Sequence, residues 1–392
     1  MISALRMARS GAVKLVLGLS ALWLAACEPT TGPLAGGAGP QVSRGAPVAV
    51  ALLVPAGSGQ ANDQVLARSL ENAARLAIAD LDGVEIDLRV YNTSGQAATA
   101  ASLASQAVAD GAQIILGPVF GGEANAVGNA VAAQNVSVLS FSNNTDIAGG
   151  NVFVLGPTFQ NTADRLVRYA AQQGRGNILV VHERNASGDA GRRAIEQAIA
   201  ASPATLAGVE SYEFSQNGVI QAMPRIAGAA GSADSVFLTA DTAGALPLLT
   251  QLMPENGINP AATQYIGLTR WDVPQATLSL PGVQGGWFAL PDPGLTRQFE
   301  ARYRAAYGES PHSIAALAYD GIAAIGAAAR TGDPNALSRA GLTRGSGFAG
   351  VNGVFRLRND GTNERGLAVA QIRNNEVVIV DPAPRSFTGA GL

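Results

Sequence analysis

Apolar residues along this chain fall into short unbroken runs separated by helical periodicities, the alternation from which α/β proteins are built. The run Val48 to Val54 is apolar at every position and is closed by Pro47 and Pro55. It predicts a strand buried on both faces, as in the middle of a parallel sheet. After the turn Ala56-Gly57-Ser58-Gly59, residues Val65, Ser69, Leu70, Ala73, Leu76, Ala77 and Leu81 recur on one face of a predicted helix from about Asn62 to Leu81. Gly83 stops that helix. A strand over Val84 to Tyr91 follows, then a helix to Asp110 that Thr93 and Gln96 would open as a capping box and Gly111 would close.

Residues 113–157 organise the chain around them. Ile114 to Leu116 is a buried strand, Gly117-Pro118 a turn, Glu123 to Gln134 a helix, and Val136 to Leu139 a second strand. Short apolar strands flanking a helix predict a parallel pair with a right-handed crossover. The loops at Gly117 and Ser140 then share the carboxyl edge of the sheet, where open α/β folds hold ligands. The loop Ser140-Phe141-Ser142-Asn143-Asn144 carries hydroxyls and amides and no charge, which suits hydrogen-bonded binding rather than acid–base chemistry.

Beyond Val152-Phe153-Val154 the rhythm restarts as a second α/β lobe. Helices are expected at 159–173, 189–201, 217–229 and 242–254, with strands at 177–181, 206–214, 235–239 and 263–267. The strand Gln284 to Leu290 leads to helices at about 293–307 and 311–330. Strands Gly353 to Leu357, Leu367 to Arg373 and Val377 to Val380 finish the pattern, with turns at Asn359-Asp360-Gly361 and Asn374-Asn375.

The front end reads as an address. Arg6, Arg9 and Lys14 precede a short apolar run that ends at Leu24-Ala25-Ala26-Cys27, the layout of a secretory signal over residues 1–26. The run is shorter than the ~20 residues of a membrane-spanning helix. Leu-Ala-Ala-Cys resembles the lipobox of bacterial lipoproteins, which implies lipidation of Cys27; Glu28 after it implies sorting to the outer membrane. Cys27 is the only cysteine, which excludes an intramolecular disulfide or a multi-cysteine metal site. Residues 27–46 read as the lipidated cysteine and a flexible tether with a span of only ~25 Å.

Charge narrows the partners. The net charge of −3 becomes −6 once the three basic residues of the signal are removed. Lys14 is the only lysine, and the arginines are scattered. A mildly acidic surface without a basic stripe argues against nucleic acid.

Reactive constellations are absent from the sequence. His182 and His312 are isolated and have no metal-ligand spacing, so they read as structural. No G-x-S-x-G elbow occurs. Gly345-Ser-Gly-Phe-Ala-Gly350 matches G-x-G-x-x-G but leaves a helix and enters a strand, the reverse of dinucleotide-binding order. Trp271 and Trp287 fall near the lobe junction, where they would stack on a ligand or pack a hinge. Tyr319-Asp320 reads as core and hydrogen-bond support, and Asp80 and Asp82 as solvated caps. Ser58 sits in a glycine-rich helix entry able to meet an anion.

In order and spacing, these pieces resemble the type I periplasmic binding-protein superfamily, which includes the branched-chain amino-acid binding proteins. The resemblance rests on the opening strand with its Gly-Ser-Gly turn, Ile-Leu-Gly-Pro before a helix, and Val-Ser-Val-Leu-Ser. It continues through Phe299 to Tyr307 with Pro311, Ala318-Tyr319-Asp320, and Gly350-Val-Asn-Gly-Val-Phe with Asp360-Gly361. It implies an α/β fold of two doubly wound Rossmann-like lobes joined by three crossings. Lobe 1 would be 47–155 with 288–340, lobe 2 would be 156–287 with 341–380, and 381–392 would be a loose tail. Ligand-cleft positions would be Ser58, Gly117, Phe120, Gly121, Ser140, Phe141, Ser142, Asn143, Asn144, Asp241 and Trp271.

Gly117-Pro118-Val119-Phe120, Val138 to Ser142, Ala148-Gly149 and Val152 to Gly156 most resemble the branch of lipoprotein activators of class A penicillin-binding proteins. The resemblance implies a non-catalytic, lipid-anchored regulator of a peptidoglycan synthase on the periplasmic face of the outer membrane, with no cofactor and no metal. The alternative is a solute-binding lipoprotein of an ABC importer, holding an amino acid or similar small polar ligand between the lobes. Transport-type binders carry a Ser or Thr after the Gly-Pro turn and an Ala-Thr pair after the next strand. This chain has Gly121-Gly122 and Asn143-Asn144 there, which sets it apart from the α-amino-acid binders.

Overall fold

The computed structural model describes residues 39–387. The expected signal, Cys27 and most of the tether lie outside the described residues.

The first lobe is built on a fully parallel sheet in the order β2-β1-β3-β4-β5. Its strands are β1 (Val48–Val54), β2 (Ile86–Asn92), β3 (Ile114–Leu116), β4 (Ser137–Ser140) and β5 (Val152–Val154). The continuous apolar run of β1 has the expected cause. Val50 and Leu52 face one helical layer, and Ala51 and Leu53 face the other. Helices α1 (Ala61–Ala79), α8 (Pro293–Tyr307) and α9 (Ala316–Ala329) supply the first layer, and α2 (Ala97–Ala109) and α3 (Gly121–Val131) the second.

The second lobe holds a seven-stranded sheet in the order β15-β14-β10-β9-β8-β6-β7. Strands β6 (Asn177–Glu183), β7 (Thr205–Tyr212), β8 (Ser235–Leu238), β9 (Gln264–Gly267) and β10 (Trp287–Leu290) run parallel; β14 (Ala368–Arg373) and β15 (Glu376–Asp381) add antiparallel. Helices α4 (Phe159–Gln172) and α5 (Ala186–Ala200) cover one face, and α6 (Gln216–Ala230) and α7 (Leu246–Glu255) the other. A short helix α10 (Arg339–Leu342) and a three-stranded sheet of β11 (Phe348–Gly350), β12 (Gly353–Leu357) and β13 (Asn363–Arg365) complete the chain.

The lobes are joined by three crossings: after β5, between β10 and α8, and between β13 and β14. Buried polar side chains tie the first crossing to the third. Asn363 Nδ2 donates to Val154 O (2.8 Å) and Gly156 O (2.9 Å), and Arg365 Nε to Leu155 O (3.0 Å). Arg365 Nη1 also pairs with Asp320 Oδ2 at 3.1 Å, and Asp320 Oδ1 accepts the Val351 amide at 2.9 Å. Tyr319-Asp320 is thus core and hydrogen-bond support, as its helical setting suggested.

Several boundaries differ from the sequence expectation. Strand β10 is hydrogen-bonded between β9 and β14, so the second lobe runs through Leu290 instead of ending at residue 287. Residues 348–365, assigned to lobe 2, send Phe348, Phe355 and Leu357 into the core of lobe 1. The last part of the tether is attached to the body: Val42 is buried and its amide donates to Pro334 O at 2.8 Å. The expected loose tail is packed as far as Phe387, which lies 4.8 Å beneath the Arg356 guanidinium. The Thr93/Gln96 capping box does not form; the Thr93 hydroxyl donates to Val54 O instead. Asp80 is no free cap, since it accepts from Arg302 (2.6 Å) and Tyr319 (2.5 Å).

Candidate functional site

The loop after β4 and the helices α4 and α5 line one cavity of about 1010 Å³ that crosses the lobe boundary. Lobe 1 contributes Asn143, Asn144, Thr145 and Asp146; lobe 2 contributes α4 as far as Arg168 and α5 along its length, from Ala186 to Gln197 and on to Ala201; the β12–β13 turn contributes Arg358, Asp360 and Thr362. Its charges are mixed, with Arg168, Arg193 and Arg358 set among Asp146, Asp164, Asp189 and Asp360. Burial pushes the Asp164 carboxyl above the usual carboxylate range, against the Gln160 hydrogen bond and the charges of Arg358 and Arg168 that favour ionisation. A second cavity of about 330 Å³ sits at the carboxyl edge of the lobe 2 sheet, lined by Glu183, Asn185, Phe214, Thr239, Asp241 and neighbouring small residues.

The lobe 1 rim is shaped by its glycines. Gly117 has φ +91°, and a Cβ there would lie 2.3 Å from Leu53 O, so the turn leaving β3 accepts no side chain. Ser58, Gly95 and the half-exposed Phe120 gather beside it: a Cβ on Gly95 would lie 3.4 Å from the Phe120 ring and 3.8 Å from Ser58 Cβ. Gly121 opens α3 directly under the Asn144 side chain.

The hydroxyls of the Ser140 loop turn inward. Ser140 Oγ donates to Pro118 O at 3.0 Å and accepts the Ser142 amide at 3.1 Å, and Ser142 Oγ accepts the Asn144 amide at 3.1 Å. Both residues are buried, so they brace the loop. Asn143 and Asn144 remain exposed and reach the larger cavity.

Two expected cleft residues are core residues. Phe141 is buried in the lobe 1 core against Gly117. Trp271 is 0% exposed and packs on Gly267 and Gly286, where a Cβ would come within 2.2 Å of the indole. An indole this large cannot reach the rim once two glycines have opened a slot for it in the core. Trp287 is likewise internal, edge-on to Tyr169 at 4.8 Å. The structure therefore brings Asn143 and Asn144 to the larger cavity and Asp241 to the smaller one, groups Ser58, Phe120 and Gly121 on the lobe 1 rim, and removes Phe141 and Trp271.

Sequence reasoning missed Glu123 and Glu183. Glu123 lies in the first turn of α3, only 2% exposed, and neither carboxylate oxygen makes a hydrogen bond. The nearby Thr93 hydroxyl has committed its proton to Val54 O. Burial pushes the Glu123 carboxyl above its ordinary range. A signal was available, because residue 123 is in helical phase with Val127 and Val131, both buried. Glu183 ends β6; burial and then the charge of Asp241 raise its carboxyl, although Asn185 donates to it.

Both histidines are held by local contacts. His182 Nδ1 lies 3.1 Å from Glu183 O, and His312 Nδ1 accepts the Ile314 amide at 3.4 Å. Among the described residues, no three His, Cys, Asp or Glu side chains gather as a metal site. No helix there is long and apolar enough to cross a membrane.

A family model described as periplasmic binding protein matches residues 47–376. No curated protein sequence matches the chain. Solved structures share the fold at low identity. A branched chain amino acid ABC transporter periplasmic ligand-binding protein from Burkholderia xenovorans is 19% identical with a TM-score of 0.65, over 87% of this chain and 97% of that one. An ABC transporter substrate-binding protein from Desulfitobacterium hafniense, in complex with Leu, is 19% identical with a TM-score of 0.61, over 86% and 100%. A solute binding protein of an ABC transporter from Rhodopseudomonas palustris, in complex with 3,4-dihydroxy benzoic acid, is 17% identical with a TM-score of 0.56, over 86% and 96%.

Proposed function

The chain belongs to the periplasmic binding protein family, and from that premise we propose that it is the solute-binding component of an ABC importer, taking a small polar ligand between its lobes. The observation that carries this reading is a cavity with walls from both lobes, the loop after β4 facing the helices α4 and α5; that loop lies at the carboxyl edge of the lobe 1 sheet, where doubly wound sheets hold ligands. Similarity to substrate-binding proteins of ABC transporters supports it. The reading is non-catalytic: ligand energy would be used to close the lobes on their three crossings and so present a new surface to a permease. Lipidation of Cys27 would keep the protein at a membrane face.

One observation favours the second reading, a lipid-anchored activator of a penicillin-binding protein. The Ser140 hydroxyl, which would donate to an amino acid's carboxylate, has given its proton to Pro118 O, and the Ser142 hydroxyl is buried and accepts from the Asn144 amide. Under that reading the lobes act as a docking body, with the cleft as a tuning site. A melting screen of the purified protein against amino acids, amines, aromatic acids and sugars separates the two. A ligand that raises Tm and compacts the protein in small-angle scattering is the expected result. No response to any class, together with stimulation of glycan synthesis by a purified penicillin-binding protein, would overturn the importer reading.

A further inference from the structure

We infer that the chain after β15 is a clasp across the hinge, a fourth connection that holds the two lobes in one arrangement and must give way when they move. The inference goes beyond the solute-binding reading and does not depend on which ligand the cleft takes.

The segment starts on lobe 2. Asp381 closes β15, and Arg165 on α4 ties it down, with Nη2 donating to Asp381 Oδ2 and Nε to Leu367 O, both at 2.7 Å. Two residues on, Ala383 is buried in the lobe 2 core. At Phe387 the segment has reached lobe 1. That ring is 7% exposed and lies 4.8 Å beneath the guanidinium of Arg356 on β12. A Cβ on Gly347, just ahead of β11, would come within 3.0 Å of the same ring. These strands belong to lobe 1 by their packing, since Phe348 and Phe355 enter its core. Between its two anchors the segment passes the third crossing itself: a Cβ on Gly366 would lie 3.0 Å from Pro384 Cγ and 3.1 Å from Pro384 O.

The path is fitted to the segment. Side chains are missing at the two places where it runs closest to other backbone, Gly366 and Gly347. Pro382 and Pro384 have a fixed φ, so the segment loses less conformational entropy on ordering than a flexible one would. Phe387 is out of water with a cation on its face, a favourable arrangement that strengthens with desolvation. Arg356 is itself held by Glu364 at 2.7 Å, so the ring meets a positioned guanidinium.

These contacts have a mechanical consequence. The chain from Ala383 to Phe387 reaches at most about 14 Å when fully extended, so its anchor points cannot part further while both hold. Rotation of the lobes on their crossings twists the short link Gly366-Leu367, against which Pro384 is packed. Such a twist carries Pro384 with it or draws Phe387 from its seat. Room for the movement is present, because a cavity of about 250 Å³ separates the segment from α4 and the third crossing, lined by Arg168, Leu367, Pro384 and Phe387. The clasp therefore stabilises the lobe arrangement in which Phe387 is seated, and its loss shifts the population toward other arrangements.

The test places spin labels on opposite lobes, at Gln96→Cys and Asn217→Cys, in the full chain carrying Cys27→Ser, and reads their separation by pulsed electron resonance. Both positions are exposed; one precedes α2 after β2, and the other lies in the first turn of α6 after β7. Phe387→Ala, and a chain ended at Asp381, should each broaden the distance distribution. The share of molecules outside the parent's main peak should rise about threefold or more, the scale of one buried ring–guanidinium contact. A label pair within lobe 2, Asn217→Cys with Asn256→Cys, should keep its distances in both variants, which separates release of the hinge from loss of fold. An interlobe distribution that neither variant changes, or an equal change in the pair within lobe 2, overturns the clasp, and neither result bears on the solute-binding reading, which the melting screen tests separately.

Discussion

Replacing Asp320 by asparagine tests whether the crossings are braced by one buried ion pair. Asp320 is fully buried and its partner Arg365 is 4% exposed at the side chain, with 3.1 Å between them. Asparagine keeps one oxygen for the Val351 amide, but its amino group replaces the oxygen that accepts from Arg365 Nη1 and from Asn352 Nδ2. The guanidinium then faces donors, with only the Leu155 carbonyl left to it. Removing one member of a buried pair costs about 3–5 kcal/mol because the other charge stays in the interior. That is a large share of the ~5–15 kcal/mol by which domains are stable.

Urea unfolding should therefore be followed by two probes. Tryptophan fluorescence reports lobe 2 through Trp271 and Trp287, and far-ultraviolet circular dichroism reports both lobes. Asp320→Asn should lower the midpoint in both and separate the two transitions, since the ion pair that steadies Arg365 in the tie between the first and third crossings is lost. Arg365→Met alone should also destabilise, whereas the double variant should recover part of the loss, with a coupling of about 1–3 kcal/mol. A loss below about 1 kcal/mol for Asp320→Asn, or strict additivity in the cycle, would refute the argument.

Glu123→Gln should stabilise the protein in a pH-dependent way. A carboxyl whose folded pKa is raised binds its proton more tightly when folded. The parent's stability is then complete below the unfolded pKa and declines as pH rises through the folded one. The variant should lack that decline and gain about 1 kcal/mol at pH 8 over its difference at pH 4, read as Tm at both; an equal difference at both pH values contradicts it. Gly117→Ala should cost about 2–3 kcal/mol, because a Cβ is placed at positive φ against Leu53 O; chemical denaturation measures it. Trp271→Ala should cost about 3–5 kcal/mol through loss of core packing while leaving ligand affinity of the folded fraction unchanged. A selective loss of affinity would return Trp271 to the cleft.

What the chain determines locally is the set of elements. The unbroken apolarity of Val48–Val54 records burial on two faces, and the periodicity of Pro293–Tyr307 a helix between an Asp292 cap and Gly308. Both were legible because periodicity reports which sides of an element leave water. The parallel order and the carboxyl-edge loops followed from short strands alternating with helices.

Partner choice was not legible, because it is settled between residues far apart in sequence. Asn363 reaches Val154 across 209 positions, and no local pattern marks Asn363 or Arg365 as inward-facing. The sequence leaves Trp271 either stacking on a ligand or packing a hinge, and Gly267 and Gly286 decide the matter by opening a slot around it in the core. The serines of the Ser140 loop read as ligand donors, yet a hydroxyl gives its one proton to the nearest acceptor, and for Ser140 the fold supplies Pro118 O. Sequence fixes which groups are available; only tertiary packing decides whether a polar group is spent on the backbone or left for a ligand, because that depends on what the rest of the chain brings within about 3 Å of it.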